Sequence, residues 1–186
     1  DSECSSGVCN DNGSCVEAAA LLYVSPTGSD SGSCTPNSPC LTIQHAVSMT
    51  SSARSGIVLS HDTFVVPDPI LLDATVVPVS SISLYGGAAT LQIPSNSNGA
   101  IFVSNDVGLQ VRNVEFVGNT LGSSMIQTGI APVHVDHVTF KNAAGAGLNV
   151  QSGTTVTAND VRFENVGVAI AVGSGGSVTL DRGVIH

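Results

Sequence analysis

The chain repeats itself. Over residues 108–186 four short segments line up: Leu109-Gln110-Val111, Val133-His134-Val135, Val156-Thr157-Ala158 and Val178-Thr179-Leu180. A polar pair follows each one: Arg112-Asn113, Asp136-His137, Asn159-Asp160 and Asp181-Arg182. A second β-rich triplet comes next: Val114-Glu115-Phe116, Val138-Thr139-Phe140, Val161-Arg162-Phe163 and Val184-Ile185-His186. Phe116, Phe140 and Phe163 fall 24 and 23 residues apart. A third strand fits the same period, with Ile101, Ile126, Leu148 and Ile170 expected in register. Loops rich in Gly, Ser and Asn, at 104–107, 129–132, 151–154 and 173–176, separate it from the next repeat.

Three short strands per repeat, with no helical period between them, describe coils of a solenoid. One coil cannot bury its apolar face alone, but stacked coils can, at about 4.8 Å per rung. Parallel crossovers favour a right-handed winding. A leucine-rich repeat would need a leucine-dominated pattern with Asn or Cys at a fixed place, and this valine-rich repeat lacks it. The expected fold class is all-β: a right-handed parallel β-helix of about five to six rungs. It carries a short N-terminal capping helix and a Cys-rich N-terminal segment. The rod is expected to be short, on the order of 25 Å.

Composition narrows the function classes. Of 186 residues, 42% are apolar, enough for a core, and only 10% are charged, against about 25% in an average domain. The formal net charge is −9, so the basic footprint of a nucleic-acid binder is absent. No apolar run reaches the roughly 18 residues of a membrane span. The sequence opens with Asp1 rather than Met, which fits a processed secretory precursor. All five Cys lie between Cys4 and Cys40, a clustering that points to disulfides and an oxidising, extracellular or cell-surface location.

Three segments are expected: a Cys-rich disulfide segment (1–17), an N-terminal cap of strand, disulfide loop and short helix (18–56), and the β-helix (57–186). In the first, Cys4, Cys9 and Cys15 are odd in number, so their connectivity stays open. No His or fourth Cys stands at zinc-ligand spacing beside them. Asn12-Gly13-Ser14 forms a glycosylation sequon, which makes Asn12 the candidate acceptor. In the cap, residues 18–24 read as the first strand. Cys34 and Cys40 bracket a tight turn and are the candidate disulfide. Thr42 reads as the N-cap of a one- or two-turn helix with Ile43, Ala46 and Val47 inward. His45 is expected on the helix surface. Pro67, Pro69 and Pro78 exclude central strand ladders where they stand.

The cap also carries a resemblance. Tyr23-Val24-Ser25-Pro26-Thr27-Gly28-Ser29-Asp30, followed by Ser38-Pro39-Cys40-Leu41-Thr42-Ile43-Gln44-His45-Ala46, resembles the opening of secreted right-handed β-helix proteins of the pectin-lyase-like superfamily. In that family such a helix caps the first coil. Asn98-Gly99-Ala100-Ile101 and Phe116-Val117-Gly118-Asn119 resemble the paired tetrapeptides of polymorphic outer-membrane and adhesin-type repeats. In the later coils Asn142 and Asn165 stand one place earlier after Phe140 and Phe163, so this narrower likeness is partial. The superfamily hosts lyases, hydrolases, adhesins and passive fibres, so the resemblance implies fold more than activity.

Candidate chemistry is sparse. His134-Val135-Asp136-His137-Val138 resembles the Trp-Ile-Asp-His-type signature of pectate lyases, in which the Asp helps to bind calcium. Here His134 replaces the Trp, and the chain has no Trp. The repeat stacks Asp136 with Arg112, Asn159 and Asp181, which puts Asp181 two rungs away, about 10 Å, too far to share an ion. The Asn-Thr-Asp, Asp-Asp and Gly-His-Gly elements of polygalacturonases are absent. His61-Asp62 would point to opposite faces in a strand and be solvated in a turn, so the pair is no ready dyad. Lys141 and Glu164 are expected to stack as opposite charges.

No catalytic residue, metal ligand or cofactor is assigned. The residues expected to carry the molecule form its core ladder: Val111, Val114, Phe116, Val135, Val138, Phe140, Val161 and Phe163. The expectation is a non-catalytic extracellular structural or adhesive β-helix in a cell-surface or fibre-forming assembly. Its partners would be other copies or other surface proteins, through its faces or ends, with glycans as a further class. No polar cap follows the last coil, so another coil or another subunit is expected to cover it. The alternatives are a polysaccharide lyase or hydrolase and a glycan-binding module. Two Tyr and no Trp leave few rings to stack on sugars.

Overall fold

A strand of three or four residues holds its shape only when neighbouring backbone pairs with it. Here each coil pairs with the next. The computed structural model describes residues 4, 6, 8, 9, 13–96, 101–122, 124–151 and 153–186. Asn12, and residues 98–100 of the first adhesin-like tetrapeptide, lie outside them. The elements run in order β1 (Leu21–Val24), α1 (Ile43–Ser48), β2 (Gly56–Leu59), β3 (Thr63–Val65), β4 (Ile70–Leu72), β5 (Ser81–Gln92), β6 (Phe102–Ser104), β7 (Gly108–Val117), β8 (Ile126–Thr128), β9 (Val133–Val150), β10 (Thr155–Val172) and β11 (Ser177–Ile185). Every pairing between these strands is parallel. The result is a parallel β-solenoid of about five turns. No helix among the described residues is long and apolar enough to cross a membrane.

The solenoid has three faces. The first stacks β1, β2 and the opening segments of β5, β7, β9, β10 and β11. The second stacks β3 with the later segments of β5, β7, β9, β10 and β11. The third stacks β4, β6, β8 and the last segments of β9 and β10. Strands β9 and β10 are long because their pairing continues past both corners, with a register shift between Val166 and Val168. At the first corner one residue per coil takes a left-handed φ: Asn113 52°, His137 52°, Asp160 51° and Arg182 52°. At the second corner Asn142 and Asn165 do the same, each at 52°. Asn and Asp bear this conformation better than most residues, which explains their place in the repeat.

Inward residues stack like upon like. On the first face Leu22, Ile57, Leu84, Val111, Val135 and Ala158 form one fully buried column. On the second, Phe64, Leu91, Phe116, Phe140 and Phe163 form another. The rings of Phe116, Phe140 and Phe163 stack at centroid spacings of 5.2 Å, with interplanar angles of 17° and 11°. That spacing is close to the rung height, so the backbone ladder itself sets the ring stack. Val114, Val138 and Val161 are buried beside it.

The third face corrects one register. Phe102, not Ile101, pairs with Ile126, which pairs in turn with Leu148 and Ile170. The Ile101 N–H donates to the Met125 carbonyl, one place upstream. Ile101 and Phe102 are both buried, so adjacent apolar residues made either assignment legible. The Phe102 ring meets Phe116 edge-on at 6.2 Å, which a one-residue slip would abolish.

The N-terminal end of the rod is covered. Residues 18–20 form a single 3-10 turn, so the first strand begins at Leu21 rather than 18. β1 already belongs to the first face, in register with β2. Its outer edge is paired by the Cys34–Cys40 disulfide loop: Tyr23 N–H donates to the Cys34 carbonyl, and Cys40 N–H to the Tyr23 carbonyl. α1 closes the coil interior with Ile43, Ala46 and Val47. Thr42 caps it by accepting the His45 N–H. Asp30 reaches across and accepts from the N–H groups of Leu41 and Thr42 and from the Thr42 hydroxyl. Burial opposes ionisation of Asp30, but these hydrogen bonds and the charge of His45 outweigh it and hold its carboxyl below the ordinary carboxylate range.

At the opposite end, β11 pairs with β10 among the described residues. Leu180 is 42% exposed and Ile185 65%, although their register partners Ala158 and Phe163 are fully buried.

Two outcomes follow for urea unfolding. Phe140→Ala should cost about 3–5 kcal/mol and Phe140→Asp should unfold the middle coils, whereas Ile185→Ala should stay within about 0.5 kcal/mol. Asp30→Ala should cost about 1 kcal/mol at neutral pH, the worth of a helix cap. Because folding lowers the Asp30 pKa, its contribution is present above the unfolded value of about 3.9 and is lost as pH falls through the folded value. The difference between wild type and variant should therefore vanish in acid.

Candidate functional site: the polar corner column

The first corner gathers the polar pairs of the repeat. Register places Arg112, Asp136, Asn159 and Asp181 in one column along the rod. The left-handed residues Asn113, His137, Asp160 and Arg182 form the column beside it. Like charges stacked at rung spacing would repel. Here carboxylates meet basic side chains instead. Arg112 Nε lies 3.2 Å from Asp136 Oδ2. His137 Nδ1 lies 3.0 Å from Asp136 Oδ1, and its Nε2 lies 3.3 Å from Asp160 Oδ2. Arg182 Nε follows at 3.8 Å from Asp160. Both ring nitrogens of His137 thus face a carboxylate.

Asp136 is the most enclosed of these acids, with 8% of the residue exposed. Both of its carboxylate oxygens are engaged, one by Arg112 and one by His137. A calcium ion takes six to eight oxygens. The column offers Asp136 no second carboxylate on the adjacent rung, since its register neighbours are Arg112 and Asn159. The arrangement suits charge neutralisation along the rod better than proton transfer or ion binding. His134, the residue in place of the signature Trp, faces outward between Gln110 and Thr157.

The second face has a parallel network. Lys141 Nζ lies 2.6 Å from Glu115 Oε2 and 3.7 Å from Glu164 Oε2, and Arg162 pairs with Glu164. The Lys141–Glu164 stack therefore has a third member, Glu115, which is the closer partner. The hydrogen bond to Glu115 pushes the Lys141 pKa up. Asn165 Nδ2 donates to Asn142 Oδ1 at the second corner. His61 and Asp62 do not form a dyad: Asp62 accepts the Ser60 hydroxyl, while His61 lies over the backbone of Gly87, whose φ is +46°.

Two sulfur clusters complete the inventory. Cys34 and Cys40 are disulfide-bonded and fully buried. His45 comes close to them and is half-buried rather than at the helix surface. Its Nε2 is buried without a hydrogen-bond partner. With both thiols tied up in the disulfide, this trio presents one nitrogen and no thiolate to a metal. At the N-terminus Cys4 bonds to Cys15, and Cys9 carries a free thiol beside them. Arg112 fastens this segment to the rod by donating from Nη1 to the Cys9 carbonyl at 2.8 Å. No pattern of single residues foretold that contact, since it spans 103 positions. An apolar recess of about 240 Å³ lies between α1 and the Pro67–Pro69 bend, lined by Leu41, Ile43, Phe64, Val66 and Ile70.

Arg112→Ala should destabilise the fold by about 1–3 kcal/mol, because it leaves the enclosed Asp136 carboxylate short of a partner. Adding Asp136→Asn to that variant should restore part of the loss. Thermal or urea unfolding of the two variants checks both signs.

No protein-family model matches the chain, and no curated protein matches it. A solved rhamnogalacturonan lyase is similar at 13% sequence identity and a TM-score of 0.36. The likeness covers 89% of this chain and 62% of the lyase chain, less than two thirds of that enzyme's length.

Proposed function

We propose that this chain is a non-catalytic structural or adhesive β-solenoid of an extracellular or cell-surface assembly. The observation that carries this reading is the self-neutralised corner column. The residues most like a lyase signature, Asp136 and His137, spend their polar atoms on Arg112 and Asp160 along the rod. A stiff rod with neutralised ladders is a spacer with faces to present. Disulfides suit an oxidising compartment.

Assembly would run through the faces or ends of the rod, where other copies or other surface proteins would meet it.

Light scattering of the purified chain tests this. A mass above that of one chain is the expected result. A monomer at all concentrations would remove the self-association part of the reading.

A further inference from the structure

Cys34 and Cys40 sit where the capping loop pairs with the outer edge of β1, and backbone contacts fix both places. The Tyr23 N–H donates to the Cys34 carbonyl, the Cys40 N–H to the Tyr23 carbonyl, and the Ser25 N–H to the Cys40 carbonyl. Thr35 and Ser38 bridge the turn between the two cysteines. Arg54 Nη2 donates to the Cys34 carbonyl at 3.1 Å. The disulfide therefore joins a pair that other contacts already hold together. Both cysteines are fully buried.

Two further donors converge on this pair from α1 and its C-cap. A ring nitrogen of His45 lies within 4.8 Å of both sulfurs. His45 Nε2 is buried and, among the described residues, has no hydrogen-bond partner. An unsatisfied buried ring nitrogen is costly and calls for a reason. Met49 Sδ, one helical turn further on, lies 3.6 Å from the Cys34 sulfur. His45 and Met49 are each partly exposed, which gives an ion a path to the buried sulfurs.

We propose that Cys34, Cys40, His45 and Met49 form a redox-gated site for a soft metal ion of the copper(I) class. Two thiolates, an imidazole and a thioether favour that ion over hard cations. In the oxidised chain the disulfide occupies both sulfurs, and the site is closed. A thiol reductant opens it. Two reductant thiols become one disulfide, and the Cys34–Cys40 bond takes up their two electrons and two protons to give two thiols. Copper(I) then displaces both thiol protons, while His45 binds as the neutral ring. Metal and disulfide compete for the same sulfurs, so the cap takes copper(I) only in reducing surroundings.

The test uses the full-length chain carrying Cys4→Ser, Cys9→Ser and Cys15→Ser, which leaves Cys34 and Cys40 as its only thiols. It is reduced with dithiothreitol, freed of the reductant without air, and titrated with copper(I) against the chromophoric chelator bathocuproine disulfonate. The reduced chain should withdraw one copper(I), and the oxidised chain none. In the same background His45→Phe should weaken binding by about tenfold or more, the least that loss of a ligand costs. Reduced wild type loaded with copper(I) should protect Cys34 and Cys40 from alkylation, mapped by mass spectrometry of its peptides. A reduced chain that withdraws no copper(I) overturns the proposal. So does His45→Phe that binds as tightly as its parent, since the two thiols then act alone. Equal alkylation of Cys34 and Cys40 with and without copper(I) overturns it in the wild type, which keeps the test standing if the serine variant fails to fold.

Discussion

Parallel in-register pairing sets each residue directly above its counterpart one coil away, and the other features follow from that. The constraint rewards identity where contact is attractive. It stacks Phe116, Phe140 and Phe163 at rung spacing and makes one aliphatic column from Leu22 to Ala158. It penalises identity where charge is involved, since like charges a rung apart repel. At the corner Asp136 meets Arg112 and His137, and Asp160 meets His137 and Arg182. The same logic couples Glu115, Lys141 and Glu164 on the second face.

The corners let that constraint persist. A strand that broke at each bend would leave unpaired backbone to be satisfied some other way. A single left-handed residue bends β9 and β10 while pairing resumes on the next face. The price falls on residue choice, which is why Asn, Asp and His recur there. These are also the residue types that enzymes use, so a corner ladder resembles a reactive cluster in sequence. In this chain both oxygens of Asp136 are bound within the column, the geometry that the proposed structural role calls for.

Where one residue type recurred at one period, the sequence was readable. The ladders of Val135 and Phe140, the stacking of Asp136 between Arg112 and Asn159, and the inward face of α1 all followed from spacing alone. The third-face register failed at Ile101 because Ile101 and Phe102 are both apolar, and period carries no information between adjacent candidates. His45 is half-buried beside the Cys34–Cys40 disulfide, a contact that helical spacing does not carry. The contact of Arg112 with the Cys9 carbonyl was illegible because it joins the repeat to a segment with no repeat of its own. The cluster of Cys4, Cys9 and Cys15 showed an odd count in sequence. Only the fold revealed which sulfur is enclosed and which is open.

The most direct test of a structural role for the corner column is the ultraviolet absorbance of unsaturated uronate released from acidic polysaccharides with calcium present. A charge-neutralising ladder predicts no product from the wild type. Product formed by the wild type and abolished in Asp136→Ala, with the fold of that variant intact, would contradict it and make the column a lyase site.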